Sequence, residues 1–147
     1  MSDHPLSKIL PNFDSHSYHA GITMAFAEVV GAGCKQLALS ATYTHEYAKE
    51  MLAATEYAAK EYNVVLHGEA DLLVSKLFPA DIAKDKTVIL IAFNQGVLDK
   101  YAELKALKKE SNVKGNPDEM EFEIARRFGR LLSYDDASIE RLLAKHG

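Results

Sequence analysis

The heptapeptide "TVILIAF", residues 87–93, gives the strongest indication of the fold. Its apolar run is unbroken, and the turn-forming sequence Asn94-Gln95-Gly96 follows it directly. A strand that is apolar on both faces is typical of a parallel sheet covered by helices on each side, whereas a half-exposed strand alternates apolar and polar residues. The heptapeptide therefore predicts a strand that is buried on both faces.

The segments around this strand alternate between strand and helix patterns. "QLALSA" (36–41) and "VVL" (64–66) are short and mostly apolar, which predicts two further strands. Apolar residues recur at helical spacing over 18–30, 46–62 and 97–109. Because strands that alternate with helices indicate right-handed βαβ units, we predict an α/β fold with three layers, a small parallel sheet of three or four strands flanked by helices. This order resembles flavodoxin-like and Rossmann-like architectures, which many functions share.

The length of the chain predicts a single domain over residues 1–147. Residues 1–110 carry the alternating pattern and form the α/β core. "SNVKGNP" (111–117) is the one obvious linker, and residues 118–147 predict a C-terminal extension of two helices with apolar stripes. No predicted strand is left for these stripes to cover, so they pack on the outer helices of the domain or form the interface of a homo-oligomer.

Three local features complete the predicted fold. Lys8–Phe13 ("KILPNF") is a candidate strand at the sheet edge, where Pro11 is tolerated because an edge strand need not donate every hydrogen bond. Asp71–Phe78 predicts a short helix that Pro79 ends. Gly31 follows the first helical pattern at the position of a left-handed cap.

Charge and composition argue against several classes of protein. The formal net charge is −4 and the pI is about 5.8, whereas a nucleic-acid-binding protein would carry a basic face. The sequence begins without a basic, apolar signal-peptide pattern and has no apolar segment long enough for a membrane span, which predicts a cytoplasmic protein without membrane contact. The single cysteine, Cys34, excludes a disulfide or a multi-cysteine zinc site within one chain.

Polar side chains cluster where the predicted strands end. In an open parallel sheet, ligands bind beyond the carboxyl ends of the strands, because the strand-to-helix loops meet there. The first helix runs antiparallel to its strand, so its N-terminus points at the same edge, and four of the six histidines are expected there. The candidate ligand-binding residues are Asp14, Ser40, Thr42, Asn94, Gln95 and Gly96, and the candidate catalytic residues are His45, His67, Glu69 and Asp71.

Two kinds of chemistry fit these residues. Imidazole and carboxylate groups suit a divalent transition metal such as zinc, for which the candidate ligands are His16, His19, His45 and His67. Without a metal, a histidine beside a carboxylate serves as an acid or base near neutral pH, and His67 and Glu69 are spaced to point to one side of an extended backbone. The structural alternative is that Asp14 and Asn94 cap helices, although capping does not need histidine.

The function predicted from this pattern is that of a small cytoplasmic enzyme, of the lyase or hydrolase type, acting on a small polar or anionic metabolite. Redox chemistry is disfavoured because the sequence lacks a Gly-x-Gly-x-x-Gly or phosphate-loop motif. The alternative is a non-catalytic sensor domain that binds a small molecule or metal and self-associates. A third alternative is a structural subunit that binds its partner through the C-terminal apolar stripes.

Overall fold

Residues 4–146, the part of the chain that the computed structural model describes, form seven α-helices and three β-strands after a 3-10 turn at Pro5–Lys8. The helices are α1 (Ser15–Gly31), α2 (His45–Glu50), α3 (Leu52–Tyr62), α4 (Ala80–Ala83), α5 (Gln95–Val113), α6 (Asp118–Leu131) and α7 (Asp136–His146). The strands are β1 (Leu37–Leu39), β2 (Val65–Glu69) and β3 (Val88–Ala92).

The three strands form one antiparallel sheet with the order β1-β3-β2. The central strand, β3, pairs antiparallel with both neighbours, so that Leu37 of β1 and Val65 of β2 both lie opposite Ala92. The predicted parallel sheet of a flavodoxin-like or Rossmann-like fold is therefore wrong. β1 and β2 do run parallel to each other, but β3 occupies the space between them in the opposite direction.

The apolar run of β3 reflects burial on both faces, which this sheet achieves without parallel strands. Every residue of β3 is at most 6% exposed. Leu90 and its neighbours on the same face pack in the largest buried cluster, with side chains of α5, α6 and α7. Ile91 faces the other way and packs against α1 and α3. Helices thus cover both faces. The hydrophobic pattern predicts this cover, but it does not indicate whether neighbouring strands are parallel or antiparallel.

The two C-terminal helices belong to the main core. Ile124 and Phe128 of α6 and Ile139 and Leu143 of α7 are buried in the cluster that contains Leu90. The apolar stripes on which the predicted homo-oligomer interface rested are therefore covered within the chain. Over residues 4–146, none of the helices is both long enough and apolar enough to cross a membrane.

The connection from β2 to β3 lacks the helix predicted for Asp71–Phe78. The backbone amide of Leu73 donates to the hydroxyl of Tyr101, 3.0 Å away, and the amide of Leu77 donates to the hydroxyl of Ser75, 3.1 Å away. Side chains thus satisfy backbone groups that a helix would satisfy internally. The apolar residues of this segment anchor a loop in the core.

Two further segments differ from the prediction. Residues 8–13 do not form a strand, because the 3-10 turn extends to Lys8 and turn residues follow it. The helical pattern over 46–62 is divided into α2 and α3 at Met51. The N-terminal segment is therefore an arm that leads into α1, and it adds no edge strand to the sheet.

Gly31 is the last residue of α1, and the left-handed conformation expected there occurs at Gly33, where φ is 82°. A Cβ atom on Gly31 would lie 2.6 Å from the carbonyl oxygen of Tyr62 and 3.2 Å from its Cβ. A glycine is needed at position 31 because α1 and the end of α3 approach each other closely here.

We expect Gly31→Ala to lower the free energy of unfolding by about 1–3 kcal/mol, since the added methyl group would overlap a backbone oxygen. Gly21→Ala in the same helix is the matched control, because nothing lies within 4 Å of a Cβ built there. This second change should raise the free energy of unfolding by about 0.5–1 kcal/mol. Urea denaturation followed by circular dichroism measures both, and equal effects would contradict the proposed close approach.

Candidate functional site

Because β3 runs opposite to β1 and β2, the predicted site residues lie at two different ends of the sheet and not at one. β1 and β2 end at one edge, and β3 ends at the other. Asn94, Gln95 and Gly96 therefore lie beside the beginning of β1, where the amide of Phe93 donates to the carbonyl oxygen of Gln36 at 2.9 Å. The single shared edge predicted for all strand exits is incorrect for these three residues.

His67 and Glu69 lie within β2, and the strand geometry brings them together. Their partners on β3 are Leu90 and Val88, which belong to the face covered by α5. Alternate residues of a strand point to one side, so both side chains face the same helix. His67 Nε2 lies 3.8 Å from Glu69 Oε2, and the imidazole side chain is 52% exposed while the carboxylate is 9% exposed. A solvent-accessible imidazole is thus held beside a buried carboxylate.

Glu69 is fixed by groups from α5 and from the loop after β2. The ammonium group of Lys105 donates to Glu69 Oε2 at 3.1 Å, and the backbone amide of Asp71 donates to Glu69 Oε1 at 2.9 Å. Lys105 also donates to the carbonyl oxygen of Asp71 at 2.8 Å. Burial, together with the nearby charges of Glu69 and Asp71, raises the pKa of Tyr101, which keeps this phenol protonated. The carboxylate of Glu69 therefore accepts hydrogen bonds from two donors, which hold it in position.

These residues line a groove of about 450 Å³ between β2 and α5, which we call the β2–α5 groove. It runs from Gln95, at the start of α5, to Lys105 beside Glu69. Gln95 donates to the carboxylate of Asp99 at 3.1 Å, so this end of the groove is also polar. The full lining comprises Leu66, His67, Glu69, Gln95, Leu98, Asp99, Tyr101, Ala102 and Lys105.

His45 and Asp71 line a second cavity, of about 550 Å³, which we call the α4 cavity. Its other lining residues are mainly apolar side chains of the loop after β2 and of α4: Ala70, Leu72, Leu73, Val74, Phe78, Pro79, Ala80 and Ala83, with Lys84 and Asp85. His45 Nδ1 forms a hydrogen bond with the hydroxyl of Thr87. His45 therefore lines a different cavity from the His67–Glu69 pair.

His19 lies in an aromatic cluster on the other face of the sheet. It is 4% exposed, and its Nδ1 lies 2.8 Å from the carbonyl oxygen of Ser15 and 2.9 Å from the hydroxyl of Tyr47. Tyr43 and Tyr47 both contact the imidazole edge-to-face. Burial lowers the pKa of His19, so the folded protein favours its neutral form. This environment could not be predicted from the sequence, because the tyrosines come from a different segment of the chain.

His16 is a surface residue that forms an ion pair. Its Nε2 lies 3.0 Å from Glu50 Oε2, and both side chains are more than half exposed. The imidazole also contacts the ring of Tyr47, at 4.8 Å between centroids. His16 and His19 therefore lie near each other but face different surroundings, and neither lies in the β2–α5 groove.

Three of the other candidate ligand-binding residues, Asp14, Ser40 and Asn94, have structural contacts. Asp14 caps α1 by accepting from the amide of His16, and a hydrogen bond from Ser17 lowers the pKa of Asp14. The hydroxyl of Ser40 accepts from the amide of Ile89 at 2.8 Å, which extends the pairing of β1 with β3. Thr42 is exposed in the connection from β1 to α2, and Asn94 caps α5 by accepting from the amide of Val97 at 3.1 Å.

The four candidate metal ligands do not converge. Within the described residues 4–146, no group of three or more histidine, cysteine, aspartate or glutamate side chains is placed to hold a metal ion. The donor sets present are pairs, His16 with Glu50 and His67 with Glu69, whereas a catalytic zinc site takes three protein ligands.

The β2–α5 groove brings together three of the predicted site residues. It joins His67, Glu69 and Gln95, with Asp71 contacting its lysine. Sequence reasoning missed Lys105, because its position opposite Glu69 depends on how α5 crosses β2. Compared with models of protein families, with curated proteins and with solved structures, the chain matches none of them.

We expect His19 to make the stability of the protein depend on pH. Its folded-state pKa lies below the ordinary value of 6.5, so the unfolded chain takes up a proton first as the pH falls through that value. The free energy of unfolding should therefore decrease between about pH 7 and pH 5. His19→Gln, which removes the titrating group, should show a shallower decrease in urea denaturation. Parallel pH profiles of the two proteins would contradict this assignment.

Proposed function

We propose that this chain is a small acid–base enzyme, of the lyase or hydrolase type, that binds a small polar metabolite in the β2–α5 groove. The observation that carries the proposal is the placement of His67 beside Glu69, with Lys105 on the other side of the carboxylate, in a groove of about 450 Å³. An accessible imidazole next to a fixed carboxylate is the arrangement that general acid–base catalysis uses.

His67 is the group that exchanges a proton with the substrate in this proposal. Imidazole is the side chain best suited to accept and return a proton near neutral pH. Glu69 places a carboxylate oxygen 3.8 Å from Nε2 of the ring, and it is itself held by Lys105 and by the amide of Asp71. Since Glu69 is buried and already has these donors, it serves as a positioning residue, and His67 as the catalytic residue.

The charge around the groove favours a neutral or cationic metabolite. Its lining includes the carboxylates of Glu69 and Asp99 and one ammonium group, that of Lys105. Glu69 engages Lys105 directly, so little positive charge is left to attract an anion. A substrate with hydroxyl or amine groups could donate hydrogen bonds to Asp99 and to the amide oxygen of Gln95.

The test is a screen of amines, amino acids and polyols, with binding followed by saturation-transfer NMR and turnover by proton NMR. We expect a compound that binds and is converted, and we expect His67→Gln to lower kcat by about a hundredfold or more with a small change in binding. The loss is large because no other imidazole lines the groove.

His16→Gln is the matched control, because His16 also pairs with a glutamate but lies outside the groove. It should leave kcat unchanged. Equal activity of the His67→Gln protein and the unchanged protein would contradict the proposed role of His67.

A non-catalytic binding or sensor function is the second candidate, and the α4 cavity favours it. This cavity is lined mainly by apolar side chains, with His45, Asp71, Lys84 and Asp85 as polar groups. Apolar pockets with a few polar groups are typical of sites that bind small molecules. Ala80→Trp, at an exposed lining position, should block such binding, whereas His67→Gln should not. Binding lost only in Ala80→Trp, without turnover of any compound, would favour the sensor over the enzyme.

A further inference from the structure

We propose that the protein has a second site, on the β1 side of the sheet, which binds a small molecule through phosphate or carboxylate oxygens. The site, which we call the basic groove, lies where the start of β1 meets α5 and α6. Its principal residues are Gln36, Lys100, Arg127 and Arg130, around a cavity of about 270 Å³. This inference is independent of the proposed acid–base function.

The basic groove is positively charged in a chain whose net charge is −4. Lys100, Arg127 and Arg130 line it together with a single carboxylate, that of Glu103. An adjoining cavity of about 430 Å³ shares Gln36 and Lys100 with the basic groove and adds the side chain of Lys35. Guanidinium groups bind phosphate and carboxylate oxygens through paired donors, so this cluster suits an oxyanion.

Within residues 4–146, Lys100 and Arg127 of the basic groove lack the carboxylate partners that some other cations of α5 and α6 have. Lys108 pairs with Glu121, and Arg126 pairs with Glu140 at 3.2 Å. By contrast, within residues 4–146 no carboxylate oxygen lies within 4.0 Å of the charged groups of Lys100 or Arg127.

Arg130 has a weak contact that a ligand could replace. Its Nε lies 3.8 Å from Asp136, whose side chain is 86% exposed. An ion pair so exposed to solvent contributes little to stability. The guanidinium groups of Arg127 and Arg130 are three positions apart on α6, so they lie on neighbouring parts of one helix face.

The start of β1 is held in place at this groove. The amide of Gln36 donates to the hydroxyl of Ser133 at 3.0 Å, and its carbonyl accepts from the amide of Phe93 at 2.9 Å. Lys35 donates to the carbonyl oxygen of Leu132 and lies over the ring of Tyr134, at 4.9 Å from the centroid. The backbone around the cations is therefore fixed before a ligand binds, which reduces the entropy lost on binding.

The cavity that adjoins the basic groove also reaches the start of α5, through Asn94 and Gly96. The first turn of a helix carries partial positive charge and backbone amides that favour anions. This contribution adds to the side-chain cluster, which carries the proposal. The two adjoining cavities have the volume of a small molecule, and the local cluster lacks the extended basic face that nucleic acid requires.

The test is isothermal titration calorimetry of the full chain with pyrophosphate and with citrate, at constant ionic strength. We expect at least one of the two anions to bind, and the comparison distinguishes phosphate from carboxylate ligands. Arg127→Gln and Lys100→Gln should each weaken binding about tenfold, as expected for one charge-assisted contact. Lys100 is the second variant should Arg127→Gln fail to fold.

Lys109→Gln is the matched control, because it removes one positive charge from α5 at an exposed position. Lys109 lines neither the basic groove nor the cavity that adjoins it. It should leave the affinity unchanged. Equal weakening by Lys109→Gln, or no binding of either anion to the unchanged protein, would overturn the proposal. Tighter binding of a uridine oligonucleotide than of pyrophosphate would overturn the assignment to a small molecule.

Discussion

The burial of β3 on both faces is the constraint on which the rest of this structure depends. A strand whose five side chains are at most 6% exposed cannot leave its backbone groups unpaired, so it needs a neighbour on each side and helices above and below. β1 and β2 supply the neighbours, and α1, α3, α5 and α6 supply the cover. β3 also lies between the two candidate sites, because the β2–α5 groove runs along β2 and the basic groove lies at the start of β1, on the other side of β3.

Burial could be predicted from the sequence, whereas strand direction could not. The run Val88–Ala92 would be apolar in a parallel or an antiparallel sheet, so it does not indicate the direction of the adjacent strands. The deciding segment is Asp71–Phe78, whose pattern is compatible with a helix that would return the chain for a parallel strand. In the structure Ser75 and Tyr101 accept hydrogen bonds from this segment, which stays a loop and lets β3 enter antiparallel to β2. The wrong prediction of a helix at Asp71–Phe78 and the wrong prediction of a parallel sheet therefore have the same origin.

The same distinction explains which parts of the candidate site could be predicted. The proximity of His67 and Glu69 depends only on the alternation of side chains along one strand, which the spacing of two residues indicates. Lys105 comes from α5, and its position opposite Glu69 depends on the direction of β3 and the angle at which α5 leaves it. His19 meets Tyr43 and Tyr47 only through tertiary packing. Local spacing therefore predicted pairs within an element, and contacts between elements lay beyond it.

The placement of β3 between two parallel strands also constrains the order of folding. β2 and β3 are near in sequence, with Glu69 opposite Val88, whereas Leu37 of β1 lies opposite Ala92, more than fifty positions further along the chain. Closing the shorter loop costs less conformational entropy, so the β2–β3 pair is expected to form before β1 joins it. During synthesis, the two outer strands emerge from the ribosome without a partner until β3 follows. The N-terminal half of the chain therefore cannot complete this sheet alone, and β1 completes it last.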